Sequence, residues 1–225
     1  GYTTNQKTEV FDVEKGSWKT LPDLSEFVSM AGIAIVDERI IMFGGYNDVS
    51  FLKTCFELNP INMKSKSLPP MNSERCDMGV AVVGGKIFVI GGYDGQKMVS
   101  GCEVFDPKTN TWENIAPLKE ARRGMGVAVI DDRFIWTFGG TLATDLNIVE
   151  IYDVEMNEWI TPHVKMTSTR SGMRAITVGE KIYLTGSWCE PQQTGLVEIL
   201  DVKTLQWEKG PPMSESRRYH VAIGF

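Results

Sequence analysis

The sequence predicts an all-β protein: a β-propeller of four-stranded antiparallel blades, four complete and a fifth split between the chain ends. Three observations predict it. Glycine pairs close short apolar runs at Gly44-Gly45, Gly91-Gly92 and Gly139-Gly140, then at Gly186 with Ser187 beside it, in steps of 47, 48 and 47. Tryptophans keep that step: Trp18 and Trp112 lie two periods apart with Ser65 midway, and Trp159 and Trp207 follow. An acidic or amide residue precedes each of these positions (Asp12, Asn59, Asp106, Asp153, Asp201), and an arginine stands ahead of the first strand of a repeat (Arg75, Arg122, Arg170, Arg217). The first two strands of each unit are apolar enough to be buried on both faces, so neighbouring sheets must cover them, and radial stacking does this. Glycine pairs at strand ends suit close backbone packing or positive φ. A tryptophan per repeat suits the space between sheets, where one ring buries ~150–250 Å².

The elements follow in order. Gly1 to Leu24 reads as the tail of a repeat, with a strand at Thr8–Asp12, a turn at Gly16, and Trp18. The first full repeat, Met30 to Leu68, has strands at Gly32–Val36, Ile40–Phe43 and Cys55–Leu58. It is degenerate, with Ser65 for tryptophan and Val28 for arginine. The second, Met78 to Ile115, is the most regular. The third, Gly126 to Ile160, has strands at Val127–Ile130, Phe134–Phe138 and Val149–Tyr152. The fourth, Met173 to Glu208, has them at Ala175–Val178, Lys181–Thr185 and Val197–Leu200. Arg217 to Phe225 opens a further repeat, which with Gly1 to Trp18 makes the split blade. Proline-rich links separate the units, as at Leu68-Pro69-Pro70-Met71, Ala116-Pro117-Leu118 and Gly210-Pro211-Pro212-Met213.

Bulk composition narrows the function. A net charge of −6, mixed along the chain, gives no electrostatic case for nucleic acid or an anionic membrane. No apolar run approaches a membrane span in length. The four cysteines, Cys55, Cys76, Cys102 and Cys189, form no CxxC pair and read as free thiols of a reducing compartment, hence a cytoplasmic protein. The first residues are no signal peptide and no initiator Met is present, so the chain reads as a piece of something longer.

The glycine pair, the acidic residue and the tryptophan at a period near 47 resemble the kelch repeat. The fragments G-V-A-V-V-G-G-K-I-F-V-I-G-G-Y-D-G and E-V-F-D-P-K-T-N-T-W, both within Met78 to Trp112, are most similar to the kelch-like proteins of animals. In those, an N-terminal BTB domain and usually a BACK domain precede the propeller, which commonly has six blades. The resemblance implies a protein-interaction propeller over residues 1–225, with BTB and BACK regions outside the sequence. It implies a substrate-recognition role for a cullin-RING ubiquitin ligase; an actin-associated scaffold is the alternative.

Two sets of residues are candidates for partner binding. In the family, the position of Arg75, Arg122, Arg170 and Arg217 often faces the mouth of the propeller, where a guanidinium can pair with a peptide carboxylate. The other reading is that these arginines brace neighbouring blades through backbone carbonyls; both stay open. The second set follows the glycine pairs: Tyr2, Tyr46 with Asn47, Tyr93 with Asp94, Thr141 and Trp188. The resemblance places them in loops at the same mouth. Tyr, Trp and Arg together are the composition of interface hot spots, although aromatics can also pack on their own loops.

Catalysis is not expected. The two histidines, His163 and His220, occupy different places in the repeat, with no ligand-spaced carboxylate or cysteine beside either. No phosphate loop or nucleophile elbow is present. Neither a cofactor nor a metal is expected.

Overall fold

The computed structural model describes residues 8–21, 28–62, 64–189 and 192–222. Its elements are all strands. Four sheets repeat one pattern of four antiparallel neighbours in sequence order. The first holds β3 (Gly32–Val36), β4 (Arg39–Phe43), β5 (Cys55–Leu58) and β6 (Ser65–Leu68). The second holds β7 (Gly79–Val83), β8 (Lys86–Ile90), β9 (Cys102–Asp106) and β10 (Thr111–Ile115). The third holds β11 (Gly126–Ile130), β12 (Phe134–Phe138), β13 (Val149–Asp153) and β14 (Glu158–Ile160). The fourth holds β15 (Arg174–Val178), β16 (Lys181–Cys189), β17 (Gln192–Asp201) and β18 (Trp207–Lys209). The first strands pack side by side, β3 on β7, β7 on β11 and β11 on β15. These are propeller blades, and their first three strands match the predicted ones to within a residue in the first and third blades.

The core lies between blades rather than within them. One cluster joins Ala34, Val36 and Phe43 of the first blade to Ile87, Val89 and Phe105 of the second. Another joins Ala81, Val83 and Phe88 to Ile135, Tyr152 and Trp159. A third joins Ala128, Ile130 and Phe138 to Ile182, Leu184 and Leu200. The alternation of β7 shows why: Ala81 and Val83 face the third blade, while Val80 and Val82 face the first. The corresponding Ile33 and Ile35 of β3 are exposed. Tryptophans rivet the junctions, since Trp112 Nε1 donates to the Pro69 carbonyl and Trp159 Nε1 to that of Ala116, both at 2.8 Å.

Two expectations are revised. The split blade is not assembled among the described residues: β1 (Thr8–Asp12) and β2 (Ser17–Leu21) form a separate two-stranded sheet, and residues 217–222 are not in a strand. Trp18 is accordingly exposed, resting on Phe11 with ring centroids 5.3 Å apart. In the fourth blade, β16 and β17 run past the predicted Thr185 end. They continue through a register shift after Thr185 to pair Trp188 with Gln193 and Cys189 with Gln192. The second glycines of the other pairs turn the chain at φ of 99°, 113° and 95°, whereas Ser187 runs on at 158°.

The first glycine of each pair is required twice over. Gly44, Gly91 and Gly139 have φ of 61°, 58° and 53°. A Cβ on Gly91 would also lie 2.6 Å from the Arg122 carbonyl oxygen of the next blade. Gly84, in the β7–β8 turn, has a similar φ of 57° but nothing within 4 Å of its missing Cβ. Gly84→Ala is therefore expected to cost about 1–2 kcal/mol, the left-handed penalty alone. Gly91→Ala is expected to cost at least roughly 2 kcal/mol more, because backbone must move. Denaturant unfolding of the two variants measures the difference.

Candidate functional site

The loops after the glycine pairs and the segments ahead of the first strands meet at one end of the blades. Backbone hydrogen bonds place them. In the first three blades the residue after the arginine position (Val28, Arg75, Arg122) bridges the residue after the glycines: Ser29 with Tyr46, Cys76 with Tyr93, Arg123 with Thr141. One position further on, residues from successive blades join hand to hand. Asp77 N donates to Met30 O at 3.0 Å, Gly124 N to Asp77 O at 3.0 Å, Gly172 N to Gly124 O at 2.8 Å, and Tyr219 N to Gly172 O at 2.8 Å. All five take positive φ, between 51° and 66°. They form the inner edge of the mouth.

Three of the candidate arginines are not at that surface. Arg75, Arg122 and Arg170 are fully buried. Each guanidinium pairs with a buried glutamate 28 residues later, in the third strand of its own blade: Arg75 with Glu103 at 2.7 Å, Arg122 with Glu150, Arg170 with Glu198. Arg75 also donates to the carbonyls of Gly91, at 3.0 Å, and Gly101, and Arg122 to the Thr137 hydroxyl at 2.8 Å. The glutamates in turn hold the incoming linker, accepting from Asn72 N at 2.6 Å, Lys119 N at 2.9 Å and Thr167 N at 3.2 Å. The expectation that these guanidiniums face a partner is therefore corrected: buried charges need partners, and each blade supplies its own. The bracing role is theirs, with the side chain tying its own blade. Blade-to-blade contact comes from the arginine's backbone carbonyl, which accepts from Gly45 N, Gly92 N, Gly140 N and Ser187 N at 2.8, 2.9, 3.0 and 2.9 Å. Arg217 differs: its side chain is exposed, 3.3 Å from Glu215. The first blade has neither charge, with Val28 and Phe56 at the two positions.

The loop residues divide as well. Tyr46, Asn47, Tyr93, Asp94 and Thr141 are half-buried at the mouth. Asn47 Oδ1 accepts from Ser50 N at 2.8 Å, and Asp94 Oδ1 from Gln96 N and Lys97 N at 2.8 Å, so both shape their loops. The Lys97 amide, ahead of the other donors, holds the Asp94 carboxyl below the usual range. The aromatics connect across blades. Phe51 lies 4.8 Å from Tyr46 and 5.4 Å, edge-on, from Tyr93 (ring centroids). Arg123 stands over the other part of this line, 5.1 Å from the Tyr93 ring centre. Tyr2 lies outside the described residues, and Trp188 lies in β16, paired with Gln193 of β17.

Sequence reasoning missed five mouth residues: Phe51, Asp77, Arg123, Arg174 and Tyr219. Asp77 is largely buried, with Arg123 Nε 3.8 Å from its carboxylate. Burial pushes its carboxyl up to about 6, against the pull of Arg123, Arg174 and the Tyr219 hydroxyl. The signal was available in the register, at the first and second residues after each arginine and at the start of the first strand. Those positions vary while the glycines and arginines recur.

Truncating a brace leaves its glutamate buried and uncompensated. Arg122→Ala is expected to lower stability by roughly 3–5 kcal/mol, measured by denaturant unfolding.

The chain matches the family model described as the KLHDC2/KLHL20/DRC7 Kelch-repeats domain over residues 1–186, and the Kelch motif over residues 169–214. A search of curated proteins gives no match.

Proposed function

The chain belongs to the kelch-repeat family of protein-interaction propellers, and from that premise we propose that it holds a segment of a partner protein at the mouth. The observation that carries this reading is the line Tyr46, Phe51, Tyr93, Arg123, which spans three blades and stays part-exposed. Aromatic rings on a rigid frame, flanked by a guanidinium, provide large contact area at little conformational cost. The rigidity comes from below. The buried Arg75–Glu103 pair holds the Gly91 and Gly101 carbonyls at the base of the Tyr93 loop. The Arg75 backbone bonds Gly45 N and Leu52 O at the base of the Tyr46–Phe51 loop. We further propose that the partner is a substrate handed to a cullin-RING ubiquitin ligase in the cytoplasm, through a BTB domain outside this sequence. That step rests on the likeness of the second blade to the kelch-like proteins.

Affinity capture with the full-length protein tests both levels. The proposal expects a cullin together with further partners. Partners without any cullin contradict the ligase step alone, and co-sedimentation with actin filaments would move the protein to a scaffold role. Tyr93→Ala is expected to weaken capture of the mouth-bound partner by about tenfold or more, while the melting temperature falls by no more than about 4 °C. Equal capture by the variant would remove the mouth from the interaction.

A further inference from the structure

One junction departs from the others at two positions together. The first is the residue before each glycine pair, and the second is the residue three places after the arginine of the following blade. At the first three junctions both are apolar and share one core cluster: Phe43 with Met78, Ile90 with Met125, Phe138 with Met173. The methionine methyl stops against the glycine, 2.9 Å from where a Cβ on Gly44, Gly91 or Gly139 would lie. At the fourth junction, where residues 217–222 open the next repeat, the two residues are Thr185 and His220. The imidazole takes the methionine's place, with its Cε1 2.7 Å from a Cβ on Gly186. Its Nε2 lies 2.8 Å from the Thr185 hydroxyl. An apolar contact is thus replaced on both sides by a polar pair, one member of which titrates near neutral pH.

The segment that His220 anchors is lightly held. Residues 217–222 belong to no strand. Besides the Thr185 contact, Ser187 N donates to Arg217 O at 2.9 Å and Tyr219 N to Gly172 O at 2.8 Å. The Tyr219 ring covers Gly172, where a Cβ would lie 3.3 Å away, and its hydroxyl is turned to the Asp77 carboxylate. The place of this segment therefore decides whether that part of the inner edge is covered. A neutral imidazole that donates from Nε2 leaves Nδ1 bare, whereas a protonated one carries an N–H on both nitrogens. Nδ1 is buried and has no partner among the described residues. The charges facing the ring are Arg174 from β15 and Arg217 from its own segment, both positive. Burial first, and then these two guanidiniums, push the imidazole below its usual range.

We propose that His220 makes residues 217–222 an acid-released strap: the neutral ring latches the segment against Thr185 and Gly186, and the protonated ring lets it leave the inner edge of the mouth. The device is independent of what the mouth binds. Its direction follows from linkage. The closed strap resists a proton that the open strap accepts at the ordinary histidine value of about 6.5. The latch is therefore at full strength above about pH 6.5 and weakens as the pH falls below it. At about pH 5.5 an unrestrained imidazole is protonated about ten to one, so the closed state loses up to about tenfold against the open one. Asp77 titrates in the same range, its carboxyl pushed up to about 6 by burial against the pull of Arg123, Arg174 and the Tyr219 hydroxyl. A substitution of His220 leaves that titration in place, so comparison with the unaltered chain isolates the imidazole.

The test is hydrogen exchange of the 225-residue chain at the Ser187 and Tyr219 amides, at about pH 7.5 and about pH 5.5. Each rate is divided into that of an unstructured amide at the same pH, which leaves the protection alone. The comparison is with His220→Met, which restores the residue of the other junctions, alone and together with Thr185→Ile. Protection in the unaltered chain is expected to fall on acidification by about tenfold more than in either variant. The Gly92 and Gly140 amides, at junctions closed by methionine, are expected to show no such difference. A fall of the same size in the unaltered chain and in the variants overturns the inference. A second measurement needs no variant of the latch. The chain has two histidines, so His163→Gln assigns the imidazole signals in a nuclear magnetic resonance titration. His220 is expected to titrate below its ordinary value of about 6.5, with the Ser187 and Tyr219 amide signals moving at the same midpoint. Titration of His220 at or above that value, or amide signals that ignore it, overturns the inference.

Discussion

Each glycine pair hands one N–H to the carbonyl of the arginine that opens the following blade, and the architecture depends on that contact. It brings two backbones so close that the first glycine cannot carry a Cβ. It also sets the height at which the Arg75, Arg122 and Arg170 side chains enter their own blades, under the loops and against a buried glutamate. The same segment then continues into the hydrogen-bonded inner edge from Met30 to Tyr219. One junction thus fixes three things: the packing of neighbouring sheets, the anchoring of the linker on Glu103, Glu150 or Glu198, and the position of the mouth.

The burial of those ion pairs is an expensive arrangement, since desolvating two charges offsets much of their attraction. What it provides is shape. A glutamate that accepts from both the arginine and the linker amides leaves the chain one low-energy path between blades. The first blade indicates that an apolar solution exists, with Val28 and Phe56 at the two positions. That blade is also the one whose β3 shows Ile33 and Ile35 to solvent.

Much of the fold was legible because its constraints are periodic. Glycines at close approaches, tryptophans at blade junctions and the alternating first strands all recur near every 47 residues, so strand positions followed directly. The long fourth hairpin was not legible, because Ser187 and a polar stretch with Pro191 read as a loop. The role of the arginines was open for a physical reason. A recurring charge can mark a shared surface or a shared internal pair, and only its partner decides. That partner was in the sequence, as glutamates in the same step as the arginines. The mouth itself was half visible. Tyr46 and Tyr93 stand beside the recurring glycines, but Phe51, Asp77, Arg123, Arg174 and Tyr219 obey no period. What the scaffold does not need, periodicity does not reveal.

The central claim is that the glycine-to-arginine contact locks each blade to the next. Native-state hydrogen exchange at the amides of Gly45, Gly92 and Gly140 measures it directly. The account predicts that these amides open only with global unfolding, as slowly as those of the central strands β8 and β12. Exchange as fast as that of exposed turn amides such as Glu38 would contradict it, showing that the blades are held by their other contacts.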